Sequence, residues 1–354
     1  MTVLYVTEPG AVVSRTSERL IVSKRKIVLD EVPLDGLDQV VLLGNVQLTH
    51  AATRALLEQG TDIALLTGGG RFLGRIGRGR GRNIPLRRAQ FRKLEDEQIV
   101  LDLARRFIRG KLHHLRVHLG RAQRNRPESE LARAIAMIRR AEERLPEVSR
   151  YEQVLGLEGT ASAAYFGVFG SLLRAPGMVF TERRRRPPPD PVNVLLSFGY
   201  TLLGNLMQSH IETVGLDPFL GALHKPEYGR PSLALDLIEE FRPIIVDMAV
   251  VRAVNTRTIV PADFHHEERA DVVEDLWEDE ERQDEGVVPP QRIVFGALGV
   301  RKWLAAYERR LNERTRYGAD GHQLTYRQIM REQVHALARS LEDGSPYVPF
   351  RLEA

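Results

Sequence analysis

The 354-residue chain contains no cysteine. This excludes disulfides, thiolate metal sites and cysteine nucleophiles, and it fits a reducing, cytoplasmic location. No basic segment followed by an apolar core opens the chain. Thr2 to Val6 reads as a short strand, so no secretory signal is expected. Long hydrophobic runs are also missing. The longest nearly uncharged stretch, Val192 to Met207, is too short for a membrane span and carries Asn193, Ser197, Gly199 and Asn205. It predicts a buried helix, and no membrane partner is expected. A phosphate loop is absent too, because Gly68-Gly69-Gly70 lacks the Gly-x-x-x-x-Gly-Lys-Ser/Thr spacing and is explained by a hairpin turn. No internal repeat is evident.

Net charge is small, +4, but its distribution is uneven. From Arg71 to Arg150 there are 22 Lys/Arg against 9 Asp/Glu, and from Glu267 to Glu285 there are 11 acids against 2 arginines. The basic block suits a polyanion such as nucleic acid; the alternative is an arginine-rich helical surface of purely compositional origin. The acidic run, which includes Trp277, reads as a mobile or partner-facing insertion.

Up to residue 48 the chain shows short apolar or alternating runs broken by Pro, Gly, Asp and Ser, which predict strands. Thr49 can cap a short helix that Gly60 ends. Asp62 to Leu66 and Phe72 to Ile76 then form a hairpin. After Pro85 the periodicity becomes helical. The expected fold class is α+β multidomain, with an N-terminal β-sandwich-like domain over residues 1–85 and a larger all-α domain over 86–354. In the helical part, His114 and His118 have the i, i+4 spacing of a zinc pair, but no intervening Glu and no third ligand support a metal there.

Three stretches carry candidate chemistry. Glu158 stands among Gly156, Gly159, Ala161, Ser162, Ala163 and Ala164. These small residues would let helices pack closely and leave the acid nearly buried, in need of a partner. Arg183 to Arg186, followed by three prolines, predict an extended surface loop able to contact phosphates. Gly221 to Pro243 holds His224, the Gly229-Arg230-Pro231 turn and a short helix bearing Asp236, Glu239 and Glu240. Those acids can share one helix face, and a solvated acidic face is the simplest reading of that helix alone. Taken together, carboxylates plus one imidazole suit Mn²⁺ or Mg²⁺, and a basic protein with such a site invites phosphodiester chemistry.

The motifs GLEGTASAAYF (156–166), DPVNVLLSFGYTLL (190–203), GLDPFLGALH (215–224), GRPSLALDLIEEFRP (229–243) and the ending YVPF (347–350) resemble the CRISPR-associated integrase that acts in spacer acquisition. The resemblance implies an N-terminal β domain used for dimerisation and an all-α catalytic domain. It implies a homodimer that assembles with a small ferredoxin-like adaptation protein on double-stranded DNA. It places three metal ligands, for Mg²⁺ or Mn²⁺, on Glu158, His224 and Glu239. Asp236 matches a position near the metal and Arg230 a position that approaches DNA. The implied reaction is attack of a DNA fragment's 3′-hydroxyl on a phosphodiester at a repeat boundary. The alternatives are a structure-specific nuclease outside spacer acquisition and a catalytically silent DNA-binding scaffold. One departure stands out: many members carry an arginine five residues after the glutamate, where this chain has Ala163.

Overall fold

The computed structural model describes residues 2–77, 83–184, 187–268, 291–318 and 320–353. The chain begins with six strands: β1 (Thr2–Val6), β2 (Val12–Thr16), β3 (Arg19–Lys24), β4 (Ile27–Pro33), β5 (Leu37–Leu43) and β6 (Gln47–Leu48). Helix α1 (His50–Gln59) follows, then β7 (Asp62–Leu66) and β8 (Phe72–Ile76). Thr49 caps α1 by accepting from the Ala52 amide, and Gly60 ends it at φ 80°, as the sequence predicts. The strands form two four-stranded sheets, ordered β1-β5-β7-β8 and β4-β3-β2-β6. In the first sheet β5 pairs parallel with both β1 and β7.

The first sheet serves two cores. Val40, Leu42 and Ile63 on one face pack with Val13, Leu20 and Val22 of the second sheet and Leu56 of α1. Val41, Leu43, Ala64 and Leu66 on the other face join the core of the helical part. This explains the continuous apolar run of β5, since a strand covered on both faces does not alternate.

The helices are α2 (Ile84–Lys93), α3 (Glu97–Asn125), α4 (Ser129–Arg144), α5 (Tyr151–Phe169), α6 (Pro191–Val214), α7 (Ser232–Glu239), α8 (Met248–Asn255), α9 (Ala297–Leu311) and α10 (Tyr326–Asp343). Two small ladders interrupt them, β9 (Phe264–Glu268) with β10 (Gln291–Phe295) and β11 (Arg314–Tyr317) with β12 (His322–Thr325). Two of the long helices start on side-chain caps. Asp190 accepts from the Asn193 amide at 2.8 Å with Pro191 in the first turn, and Thr325 forms a capping box with Gln328. Most of the acidic run from 267 to 285, Trp277 included, lies outside the described residues.

Helix α6, which contains the run Val192 to Met207, is buried along most of its length. Among the described residues no helix is long and apolar enough to cross a membrane. A turn of π-helix, residues 242–247, separates α7 from α8. Pro243 has no N–H to give to residue 239 and its ring crowds that carbonyl, so the regular α ladder cannot run through. This segment packs on α6 at Gly199, where a Cβ would lie 2.4 Å from Val246 Cγ1 and 3.0 Å from Trp303 Cζ2. Gly199→Ala should therefore lower stability by about 1–3 kcal/mol through overpacking. That exceeds the gain of at most about 1 kcal/mol from removing a helical glycine. Urea unfolding should show a lower midpoint at unchanged slope; an equal or higher midpoint would show that the contact yields.

Candidate active site

The acids of α7 do not form a solvated face. Asp236 and Glu240 are fully buried and Glu239 is 2% exposed. The reason is that Leu233, Leu235, Leu237, Ile238 and Phe241 cover the remaining directions, so the helix sits inside the core. Each acid then needs its own partners. Asp236 organises the loop before it: Oδ2 accepts from the Ala222 and Leu223 amides at 2.6 and 2.9 Å. Its Oδ1 accepts from the His224 amide at 2.8 Å and lies 2.6 Å from His224 Nδ1. A Cβ at Gly221 would fall 2.6 Å from Asp236 Oδ2, so the loop can close on the carboxylate only because that residue is glycine. With Nδ1–H donated to Asp236, the lone pair of His224 is on Nε2.

Glu240 points away from the other two acids. It accepts from Tyr347 Oη at 2.5 Å and from the Phe350 amide at 3.0 Å. Its carbonyl faces His114 Nδ1 at 2.6 Å, and His114 Nε2 accepts from the Leu352 amide at 3.0 Å. The YVPF ending is thus a clasp on the far side of α7. Burial holds the His114 and His118 rings at pKa values of about 3. His118 Nδ1 lies 2.7 Å from Tyr165 Oη, so both histidines are structural rather than a metal pair.

Glu239 faces Lys111 of α3 and Arg242. Lys111 Nζ is 2.6 Å from Glu239 Oε2, and Arg242 Nη1 is 2.6 Å from Glu239 Oε1. The same Lys111 ammonium is ion-paired with Glu158 Oε1, which also accepts from Ser162 Oγ at 2.7 Å. One lysine therefore joins the two carboxylates. Burial acts to lower its pKa, but Glu158 and Glu239 outweigh this and raise it, so the ammonium stays charged. The sequence reading passed over Lys111. Its signal was a single charge on the apolar stripe of α3, four residues after Phe107 and four before Leu115.

The glycines near Glu158 do not give the expected close packing: Gly156, Gly159 and Gly167 lie on the exposed side of α5, where a Cβ would meet nothing within 4 Å. Glu158 lies on the other side of the helix, with the buried Val154, Ala161 and Tyr165, and its side chain is 20% exposed. Ala163 is exposed, and the positive charge beside Glu158 comes from Lys111 instead of residue 163.

The arginine loop also departs from expectation. Arg183 turns inward, donating to Asn193 Oδ1 at 2.8 Å and Ser197 Oγ at 3.1 Å and lying over the Tyr200 ring at 5.4 Å. Arg242 lies over the same ring at 5.0 Å. The Arg184 amide donates to Asn193 Oδ1 at 3.0 Å, while Arg185 and Arg186 lie outside the described residues. Arg230 is 13% exposed and pairs with Glu227 at 3.1 Å. Below Tyr200, Asp247 accepts from Tyr200 Oη at 2.6 Å and Tyr165 Oη at 2.8 Å.

Glu158 and Glu239 are thus brought together across Lys111, and His224 is fixed by Asp236, which shares a helix face with Glu239 three residues on. Among the described residues no three His, Asp or Glu side chains close around a point that could hold a metal ion. The donor types nevertheless fit a divalent cation. Glu239 Oε2 is buried without a well-aligned hydrogen bond, both carboxylates face one positive charge, and the imidazole is oriented through Nδ1 by Asp236.

Burial pushes the Asp247 carboxyl from 3.8 up to about 6, against the two tyrosine hydrogen bonds and the Arg183 and Arg242 charges that lower it. Its native form binds protons more tightly than the unfolded chain. The stability it contributes is therefore fully present below the unfolded value and is lost as pH rises through about 6. Asp247→Asn should flatten this slope. Between about pH 4 and 6 the wild type should lose up to about 3 kcal/mol relative to the variant in urea unfolding; parallel profiles would refute the assignment.

Known proteins resemble this chain in sequence and in fold. Residues 4–277 match the family model "CRISPR associated protein Cas1". The chain is 35% identical over 353 residues to CRISPR-associated endonuclease Cas1 3 of Thermus thermophilus, covering 98% of this chain and 96% of that protein. Among solved structures, a casposase bound to integration product matches with TM-score 0.80 and 23% identity, over 99% of this chain and 93% of the casposase. A chain of a Cas6-RT-Cas1–Cas2 complex matches with TM-score 0.79 and 22% identity; it covers 100% of this chain, which spans 36% of that longer polypeptide. With a family model covering most of its length and a full-length relative above 30% identity, the chain belongs to the CRISPR-associated Cas1 family.

Proposed function

We propose that this protein is a metal-dependent DNA integrase and endonuclease that inserts short double-stranded DNA fragments into a CRISPR repeat array. The observation that carries the reading is the meeting of Glu158 and Glu239 across a single ammonium. Two carboxylates held this closely need a cation between them. Family membership supports phosphodiester chemistry at that place.

Glu158, Glu239 and His224 Nε2 would hold Mg²⁺ or Mn²⁺. The ion would acidify and orient the attacking 3′-hydroxyl and stabilise charge on the phosphoryl oxygens. The protein's own work is positional. Asp236 fixes the His224 ring and its tautomer, Arg242 holds the second oxygen of Glu239, and Ser162 steadies Glu158. The nucleophile belongs to the substrate, so no covalent protein intermediate arises. With water in place of the hydroxyl the same residues support hydrolysis, a second reading favoured by the endonuclease name of the Thermus relative. Arg230 and the loop from Arg183 to Arg186 are proposed to lie along the DNA, with Arg183 acting through its stack on Tyr200. Assembly with the small ferredoxin-like adaptation partner is proposed from the family.

Glu158→Ala, His224→Ala and Glu239→Ala should each lower strand transfer into a repeat-bearing plasmid by at least about 100-fold, with DNA affinity little changed. Asp236→Asn should fall between these and the wild type. Transfer near the wild-type rate by Glu158→Ala or His224→Ala would sink the assignment. Affinity falling in step with transfer would mean that these residues hold the fold.

We also propose a homodimer formed through the strand-rich region. Edge strand β4 exposes Ile27, Val28 and Leu29 at 66, 58 and 49%, an apolar edge that a monomer rarely leaves uncovered. Val28→Lys should halve the mass seen by light scattering; an unchanged dimer mass would move the interface elsewhere.

A further inference from the structure

Lys111 Nζ addresses the same two oxygens that a metal ion would need, Glu158 Oε1 and Glu239 Oε2. Its side chain is only 11% exposed. Around it stand Glu158 of α5, which also accepts from Ser162, Glu239 of α7, and Arg242 on the second Glu239 oxygen. An ammonium and a divalent ion cannot share those lone pairs. Their like charges a few ångströms apart would also repel.

We propose that Lys111 is a resident counter-cation that metal binding must expel, and that it then pairs with a DNA phosphate, coupling metal binding to DNA binding. The inference rests on the metal reading above. Without metal, Lys111 bridges two carboxylates whose like charges would otherwise repel at close range. When a metal takes those oxygens, the four-carbon side chain can swing without moving α3. The Lys111 side chain keeps 11% and that of Glu158 20% of its surface exposed, so the pair already reaches solvent. A phosphate at that opening gives the displaced ammonium a new partner. DNA then favours the metal-loaded arrangement, and by linkage the metal favours DNA to the same degree.

The test measures binding, not activity. Mn²⁺ affinity is determined by calorimetry for the full-length wild type and Lys111→Met, each alone and with a saturating DNA duplex. Lys111→Met should bind Mn²⁺ at least about tenfold more tightly than wild type in the absence of DNA, and addition of duplex should tighten Mn²⁺ binding in the wild type only. Equal affinities in the two proteins, with equal response to DNA, would overturn the role of Lys111 while leaving the metal site standing. Absence of Mn²⁺ binding in both, with and without DNA, would overturn the metal reading and this inference with it. Should Lys111→Met not fold, reductive methylation of the wild type decides the matter. Lys111, located by peptide mapping, should react several-fold faster with Mg²⁺ present than without it, and an unchanged rate would overturn the proposal.

Discussion

The structure around α7 depends on one constraint: three carboxylates enter the core on a helix too short and too apolar to leave them in water. Eight residues cannot present a solvated face when Leu233, Leu235, Leu237 and Ile238 all require burial. Desolvation of each carboxylate is costly, so each is matched to a different kind of donor. Asp236 takes backbone amides and a histidine, Glu239 takes two cations, and Glu240 takes a tyrosine and a backbone amide from the chain's end. The loop before the helix, the long helix α3 and the last residues of the chain are thereby all tied to α7. Segments far apart in sequence meet there because no nearer group could satisfy the acids.

The same logic separates supporting residues from those offered to a ligand. Asp236 and Glu240 have their oxygens saturated by groups that cannot easily leave, mostly backbone amides and buried side chains. Glu158 and the inner oxygen of Glu239 are held instead by a flexible lysine. A lysine can move by bond rotation alone, whereas an amide in a closed loop cannot. The exchangeable pair is therefore where chemistry can enter, and the saturated pair is what keeps it aligned. The tyrosine–arginine stack below extends this frame. Arg242 grips Glu239 and lies over Tyr200, which anchors to Asp247 in the π-helical turn and carries Arg183 on its ring.

The strand-rich region contributes through a shared wall. Its first sheet has one face in its own core and one in the helical core, so strands β5 and β7 are apolar on both sides. Arg75 of β8 reaches α6, pairing with Glu212 at 3.2 Å and donating to the Asn205 carbonyl at 2.7 Å. The second sheet lies beyond this wall and ends in the exposed β4.

Much of this was legible in the sequence. Short-range rules fixed the strands, the cap at Thr49, the αL glycine at Gly60 and the buried helix over Val192 to Met207, because each depends on residues a few positions apart. The motifs that carry Glu158, His224, Asp236 and Glu239 were also visible as words in the chain. What tertiary structure alone decided was which of these groups face one another. The acids of α7 look like a solvated face until the core closes over them. The glycines around Glu158 read as close packing, yet Gly156 and Gly159 border open space on the side of α5 away from the acid, since nothing in a local pattern states what lies opposite. Arg183 reads as surface charge until Tyr200 offers its ring. Lys111, 47 residues from Glu158 and more than twice that from Glu239, joins the two carboxylates only through the packing of α3 against α5 and α7. Charge compensation in a buried site is a long-range property, and only the folded chain expresses it.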